Sequence, residues 1–192
     1  MTTESVLIEQ LKQGDEAAFK SIVTQWQNMV YNTVLGIVQN NTEAEDITQE
    51  VFIKVFENIS SFKGESKFST WLYRIAITKA LDFLRSKKRK KRFGFMKSLF
   101  GNEHEEEPRL TDFSHPGVRL DNKERSAVLF KAIGKLPDNQ KAAFTLHKLE
   151  GLSYQEISEV MHTTVSAVES LMSRAKVNLR KELEEFYNYN YK

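Results

Sequence analysis

The sequence predicts an all-α protein of two small helical domains joined by a flexible linker, the C-terminal one a helix-turn-helix. Three observations predict it. Apolar residues recur at three- and four-residue steps through both halves, and no segment alternates as a half-buried strand would. The stretch 93–122 holds Pro108, Pro116, Gly94, Gly101, Gly117 and the acidic run at 103–107, with no sustained period. Near the end, a capped short helix, a tight turn and a longer helix follow one another. A loop as long as 93–122 is unusual inside one compact domain. The expected division is therefore 1–92, a linker 93–122, and 123–192.

The elements follow in order. From Asp15 to Gln39, one apolar stripe carries Phe19, Ile22, Val23, Trp26, Met29, Val30, Val34 and Ile37. Asn40-Asn41 breaks it, and Thr42 with Glu45 has the pattern of a capping box, Thr42 as N-cap. The next helix carries Ile47, Val51, Phe52, Val55, Phe56 and Ile59 on one side. Ser60 to Ser66, with Gly64, reads as a loop. A third helix starts near Ser69 and runs through Trp71, Ile75, Ala76, Ala80 and Phe83 into a basic end. In the second half, helices are expected over Glu124–Lys135 and Asp138–Leu149, the latter closed by Gly151. Ser153 and Glu156 form a second capping box, opening a helix with Ile157, Val160 and Met161. After a turn at His162-Thr163, the last helix places Val168, Met172, Ala175, Leu179 and Leu183 on its inner side. The turn asks for a positive φ at His162, a residue type enriched there among non-glycines.

Composition bounds the function. The chain has 192 residues and no cysteine, which excludes disulfides, thiolate nucleophiles and Cys-based metal sites. No apolar run suits a membrane-spanning helix, and the first residues lack the basic and apolar stretches of a signal peptide, so a cytoplasmic protein is expected. The histidines, at 104, 115, 147 and 162, have no ligand spacing, and no Gly-rich phosphate loop or nucleophile motif occurs. Neither an enzyme nor a cofactor or metal site is expected. The acidic run beside His104 reads as a solvated linker charge run.

Charge points to nucleic acid. Residues 1–92 hold 14 Lys and Arg against 11 Asp and Glu, residues 93–122 hold 3 against 6, and residues 123–192 hold 11 against 9. The sharpest feature is 85–92, where Arg85, Lys87, Lys88, Arg89, Lys90, Lys91 and Arg92 are cationic, suiting a phosphate backbone. Phe62, Phe68, Trp71 and Tyr73 cluster nearby, interleaved with Lys63, Lys67, Arg74 and Lys79. Rings that stack bases beside cations that track the backbone suit single-stranded nucleic acid, although the same rings also suit a core. In the helix-turn-helix, the inward stripe leaves Ser166, Glu169, Ser170, Ser173 and Arg174 outward, where such a helix enters the major groove.

Several strings carry a resemblance: DITQEVFIKVFENISSF at 46–62, FKGESKFSTWLYRIA at 62–76, LDFLRSKKR at 81–89, LPDNQKAAFTLHKLEGLSYQEIS at 136–158 and TVSAVESLMSRAKVNLRKEL at 164–183. In this order they resemble the two domains of a bacterial RNA polymerase sigma factor of the extracytoplasmic function (ECF) group, sigma-70 family. The resemblance implies a factor that binds core RNA polymerase, directs it to promoter DNA and helps melt it. Asp46, Gln49, Glu50, Lys54 and Phe56 then fall on the surface that docks on the polymerase clamp helices. The polar, mostly acidic stripe of Asp46, Gln49, Glu50, Lys54 and Glu57 suits a basic coiled-coil partner. Phe62, Lys63, Gly64 and Phe68 fall on the loop that holds a flipped base, and Thr70, Trp71, Arg74, Thr78 and Lys79 on the helix that contacts the opened strand. The final helix falls on the reader of the distal promoter element. The family usually has basic residues near Glu169 and at Leu171, and their absence leaves the target sequence open. The linker resembles the segment that threads toward the polymerase active centre. An anti-sigma factor is a partner the family often has. The alternative is a conventional helix-turn-helix regulator, which predicts a palindromic duplex site bound without polymerase.

Overall fold

The computed structural model describes residues 3–98 and 123–190, and among them every regular element is helical. The first domain comprises α1 (Thr3–Lys12), α2 (Glu16–Val38), α3 (Asn41–Asn58), a 3-10 turn (Ile59–Ser61) and α4 (Phe68–Ser98). The second comprises α5 (Lys123–Gly134), α6 (Asp138–Lys148), α7 (Tyr154–Met161) and α8 (Val165–Asn190).

Local chemistry sets most of these boundaries. Asp15 caps α2, its Oδ1 accepting from the amides of Ala17 and Ala18 at 2.7 and 3.1 Å. The helix ends on Gln39 in a left-handed conformation, φ 56°. The cap of α3 differs from expectation. Asn40, not Thr42, holds the extended cap position and accepts from the Glu43 amide at 2.9 Å. Asn outranks Thr as a cap, and Thr42 is already inside the first turn. In the second domain, both halves of the Ser153–Glu156 capping box form, and His162 takes φ 49°. Gly151 has φ +75°, a conformation that side chains strain against.

Two further differences concern extent. No helix was predicted for α1, yet its Ile8 and Leu11 are buried. Helix α4 continues to Ser98, six residues past its expected end at Arg92. Gly94 alone costs only about 1 kcal/mol in a helix, too little to stop it. The remaining predicted linker residues, 99–122, lie outside the described residues.

Helices α2, α3 and α4 pack mutually, and α5, α6 and α7 pack on α8. The domains also pack on each other, α6 against α2 and α7 against α4. One buried apolar cluster therefore runs from Val34, Leu35 and Ala76 through Ala142, Leu146, Ile157 and Val160 to Met172. A second, of Ile133, Leu136, Ala175 and Leu179, lies within the second domain. Close approach at the seam needs a glycine: a Cβ on Gly36 would stand 2.7 Å from Thr145 Cγ2.

Polar groups complete the seam. Gln39 Nε2 donates to the Phe130 carbonyl at 2.7 Å, and Lys88 pairs with Asp138 at 2.7 Å. Glu150, in the turn after α6, accepts from the Tyr73 hydroxyl at 3.2 Å. Burial pushes the Glu150 carboxyl up to about 7, while the bonds from Tyr73 on α4 and Thr33 on α2 pull it back. Burial, with Glu150 and Glu156 nearby, also raises the Tyr73 phenol.

The pH consequence follows in sign. A carboxyl raised above its ordinary 4.5 makes the packed state hold the extra proton. The packing is strongest below pH 4.5, weakens as pH rises toward 7, and is flat above, a difference of at most about 3 kcal/mol. Glu150→Gln keeps an acceptor for Tyr73 and removes the titration. Its melting temperature relative to the parent should rise between about pH 4 and about pH 8, across the window from 4.5 to about 7. Parallel melting curves for the two proteins at both pH values would show Glu150 to be solvated.

Candidate nucleic-acid and polymerase interfaces

Helix α3 buries Ala44, Ile47, Val51, Phe52 and Val55 and turns its other side to solvent. Asp46, Gln49, Glu50, Lys54, Phe56 and Glu57 are all exposed there. The expected polar stripe is thus a real surface. It also holds Ile53, which is 58% exposed and which the sequence reading omitted. Phe56, expected on the apolar side, is 46% exposed and touches Phe19 edge-on at 5.2 Å between ring centroids. An isoleucine ringed by exposed polar residues is the arrangement of a protein-docking patch, with an apolar centre and a polar rim.

Between α3 and α4 lies an open groove of about 720 Å³, lined by Glu50, Lys54, Trp71, Arg74, Thr78, Lys79 and Phe83 among others. Lys79 bridges it to Glu50 at 2.9 Å. The structure divides the aromatic cluster. Phe62, Phe68 and Tyr73 are buried at 8%, 1% and 8% exposure, and Thr70 is buried too. This corrects the expectation that Phe62, Phe68 and Thr70 face a bound strand: in this arrangement they are interior. Phe62 and Phe68 pack against Trp71. Phe68 stacks on the indole at 5.7 Å and Phe62 meets it at 5.5 Å, and the ring stays partly exposed on the groove. Lys63 and Gly64 are exposed in the loop, Gly64 with φ +77°. Thr78 is exposed, and Arg74 is half-buried at the seam.

The basic end of α4 is solvent-facing from Lys87 to Arg92. Arg85 pairs with Asp82, Lys87 with Glu43 and Lys88 with Asp138. Lys87 also sits over the Phe83 ring, 5.8 Å from its centroid. Arg89, Lys90, Lys91 and Arg92 are exposed and have no ion-pair partner among the described residues.

In the second domain, Val168, Met172, Ala175 and Leu179 are buried, as the periodicity requires. Ser166, Glu169, Ser170, Ser173 and Arg174 are all exposed on the opposite side of α8. Thr164 caps α8, accepting from the Ala167 amide at 3.2 Å. Lys176 and Arg180 are exposed further along and extend the positive charge of this helix, a feature the sequence reading did not single out. Charge spacing beyond the first two turns could have found them.

Among the described residues, no group of three or more His, Asp or Glu is placed to hold a metal ion, and no helix is long and apolar enough to cross a membrane. His104 and His115 lie outside the described residues.

An exposed polar face on α3, a groove beside Trp71, a basic helix end and a capped helix-turn-helix suit the class of two-domain DNA-binding transcription factors. Comparison places it further. Residues 22–90 match the model of Sigma-70 region 2, and residues 122–179 match that of Sigma-70 region 4. An ECF RNA polymerase sigma-E factor of Haemophilus influenzae is 35% identical over 182 residues, 95% of this chain and 96% of that protein. The one of Escherichia coli is 34% identical over 174 residues, 91% of both. The chain belongs to the ECF sigma factors of the sigma-70 family. Its function is that of a sigma factor in transcription initiation, with core RNA polymerase and promoter DNA as partners. The regulator alternative falls with that assignment.

The fold has solved counterparts. CnrH in complex with the cytosolic domain of CnrY covers 96% of this chain and 99% of its own, with a TM-score of 0.66 at 20% identity. The sigma factor RpoE of Bartonella quintana, in complex with the anti-sigma factor NepR, covers 86% and 96%, with a TM-score of 0.61 at 20% identity.

The free cations predict a salt signature. Each phosphate contact contributes close to 0.9 to the slope of log affinity against log salt on duplex DNA. Replacing Arg89, Lys90, Lys91 and Arg92 with Gln should flatten that slope for promoter binding by up to about 3.6 units. Replacing the already paired Lys87 and Lys88 should change it less. An unchanged slope in the fourfold variant would leave this helix end as a solvated face.

Proposed function

We propose a division of labour within the sigma factor. Residues 1–92 dock on core polymerase and capture the opened strand, and residues 123–192 read the distal element as duplex. Residues 93–122 form the connecting segment. The observation that carries this reading is the first domain's pair of adjoining surfaces. An exposed polar face on α3 adjoins a groove that a partly buried Trp71 lines. A factor that only read duplex DNA would have no use for either.

On this reading Asp46, Gln49, Glu50, Ile53 and Lys54 meet a basic coiled coil of the polymerase. Ile53 supplies the apolar centre and the carboxylates supply orientation and association rate. Extruding a base costs a few kcal/mol, which stacking on Trp71 and a pocket at Lys63–Gly64 offset. Arg74, Thr78 and Lys79 line the strand's path, and Arg89 to Arg92 attract its phosphates. Ser166, Glu169, Ser170, Ser173 and Arg174 face the major groove. The chain acts by binding, without bond chemistry of its own, in the cytoplasm where the polymerase works. RpoE of Bartonella quintana, which shares this fold, is held by an anti-sigma factor, and this supports an anti-sigma factor as a partner of this chain too.

Docking is tested directly. Asp46→Lys with Ile53→Ser alters two exposed residues and no core contact. The double variant should keep the parent's circular dichroism and bind core polymerase about 10-fold or more weakly, some 1.4 kcal/mol. Equal affinity in the folded variant would remove this face as the docking surface.

Duplex reading is tested by selection. Glu169 can accept from a cytosine amine and repels approaching acceptors. Arg174 can span a guanine edge, worth about 1–3 kcal/mol of discrimination. Randomised distal elements selected by holoenzyme should give a different preferred sequence with Glu169→Arg, and relaxed preference with Arg174→Ala. The same sequence from all three proteins would show that α8 is not the reader.

A further inference from the structure

A second cavity, of about 350 Å³, shares only Arg74 and Thr78 with the α3–α4 groove. Arg74, Ile77, Thr78, Leu81 and Arg85 fall at helical spacing on α4 and form one of its walls. Opposite them stand Asn139 in the first turn of α6, Val160 to Thr163 where α7 turns into α8, and Leu171 of α8. The left-handed backbone of His162, φ 49°, makes that turn.

The lining has two chemistries. Ile77, Leu81, Val160, Met161 and Leu171 make an aliphatic part, with no Phe, Tyr or Trp among the lining residues. Two arginines and no Asp or Glu line the cavity, so its field is positive. Arg85 pairs with Asp82 at 2.9 Å, an exposed pair that is worth little by itself. Arg74 is committed only in part. Its Nη2 donates to the Glu159 carbonyl at 2.9 Å, while its Nε is buried with no hydrogen-bond partner among the described residues. Nearly all buried polar groups are paired, and an orphaned donor on a cation is the group that an anion satisfies best. The carbonyls at the end of α7 are already taken: Glu159 also accepts from the His162 amide, and Ser158 accepts from the Thr163 amide.

We infer that this cavity binds a small aliphatic anion, a phosphate or carboxylate head on a short hydrocarbon body. Both heads match the fork of a guanidinium, and the hydroxyls of Thr78 and Thr163 and the amide of Asn139 add further donors. The body lies on the aliphatic part. The volume is near the lower end of the range for ligand pockets, about 300–1,000 Å³, and that keeps the body short. A nucleotide suits the site less well, because no Phe, Tyr or Trp in the lining offers a face to a base. The inference needs neither DNA nor polymerase, and it stands apart from the roles assigned to the promoter-contacting surfaces. A factor with such a site takes a chemical input directly.

Calorimetric titration of the full free chain tests this. The probes are octyl phosphate and octanoate, beside octanol, which lacks the charge, inorganic phosphate, which lacks the body, and adenosine monophosphate, which carries a base and sugar instead of a chain. At least one octyl anion should bind one to one with a Kd of about 0.1 mM or tighter, and the other three probes about 10-fold or more weakly than that anion. The ratio of the two octyl affinities names the head group. Asn139→Glu with Thr163→Glu places two carboxylates at exposed lining positions, the first in the opening turn of α6, where acid suits a helix. The double variant should keep the parent's circular dichroism and bind the octyl anion about 10-fold or more weakly. A second readout needs no such variant. With isotope-labelled methionine methyl groups, the octyl anion should shift Met161, which lines the cavity, and leave Met29, which does not, unmoved. Absence of saturable binding, octanol binding as tightly, adenosine monophosphate binding more tightly, unchanged affinity in the folded double variant, or a shift of Met29 without Met161 would each overturn the site.

Discussion

Helix α2 is buried on every side from Thr33 to Val38. This constraint organises the rest of the molecule. A surface helix buries one stripe, and a helix apolar all round needs partners all round. On one side α2 meets α3 and α4, and on the other α6 of the second domain. Thr33 is tolerated there because its hydroxyl donates to the Met29 carbonyl at 2.8 Å, and Gly36 because nothing larger lets α6 close. Without the second domain, this half of α2 would present an apolar patch to water. The same burial that orders the first domain therefore selects a partner for it within the chain.

That selection explains why the seam is polar at its edge and apolar at its centre. Ala142, Ala143 and Leu146 of α6 share a buried, water-excluded cluster with the residues of α2 that α6 packs on, which strengthens each hydrogen bond around them. It also raises the Glu150 carboxyl, since a charge there has lost solvent and gained only Tyr73 and Thr33. Toward α7, the Lys67–Glu156 pair is solvent-exposed and worth little by itself.

Much of this was legible in the sequence because it is local. The α8 faces followed from a 3.6-residue period, the Ser153–Glu156 box from two residues, and the left-handed His162 from the demands of the turn. The exposed polar stripe of α3 followed in the same way. What escaped was non-local or competitive. Asn40 and Thr42 both suit an N-cap, and only the backbone course decides between them. Helix α1 is short, and its burial depends on α2 being present. Phe62, Phe68 and Trp71 are equally aromatic, and only three-dimensional packing makes two of them supports for the third. The run Thr33–Val38 is uncharged, but so is all of Ser21–Thr42, which includes the exposed Thr24, Gln25, Gln27 and Asn28, so absence of charge did not mark it. Read as part of a single stripe, it gave no hint that the other side belonged to the second domain.

The distribution of paired and free cations carries the argument one step further. Lys67, Lys79, Lys87 and Lys88 each face a carboxylate in this arrangement, whereas Arg89 to Arg92 have none among the described residues. A strand reaching the free residues gains counterion release at once. A strand reaching Lys67 or Lys88 must first displace Glu156 or Asp138, both from the second domain. A strand reaching Lys79 or Lys87 displaces Glu50 or Glu43, which belong to the first and stay beside it whatever the second domain does. The carboxylates of the second domain thus pair cations at two separate places, Lys67 close to Arg74 and Lys88 within the basic helix end.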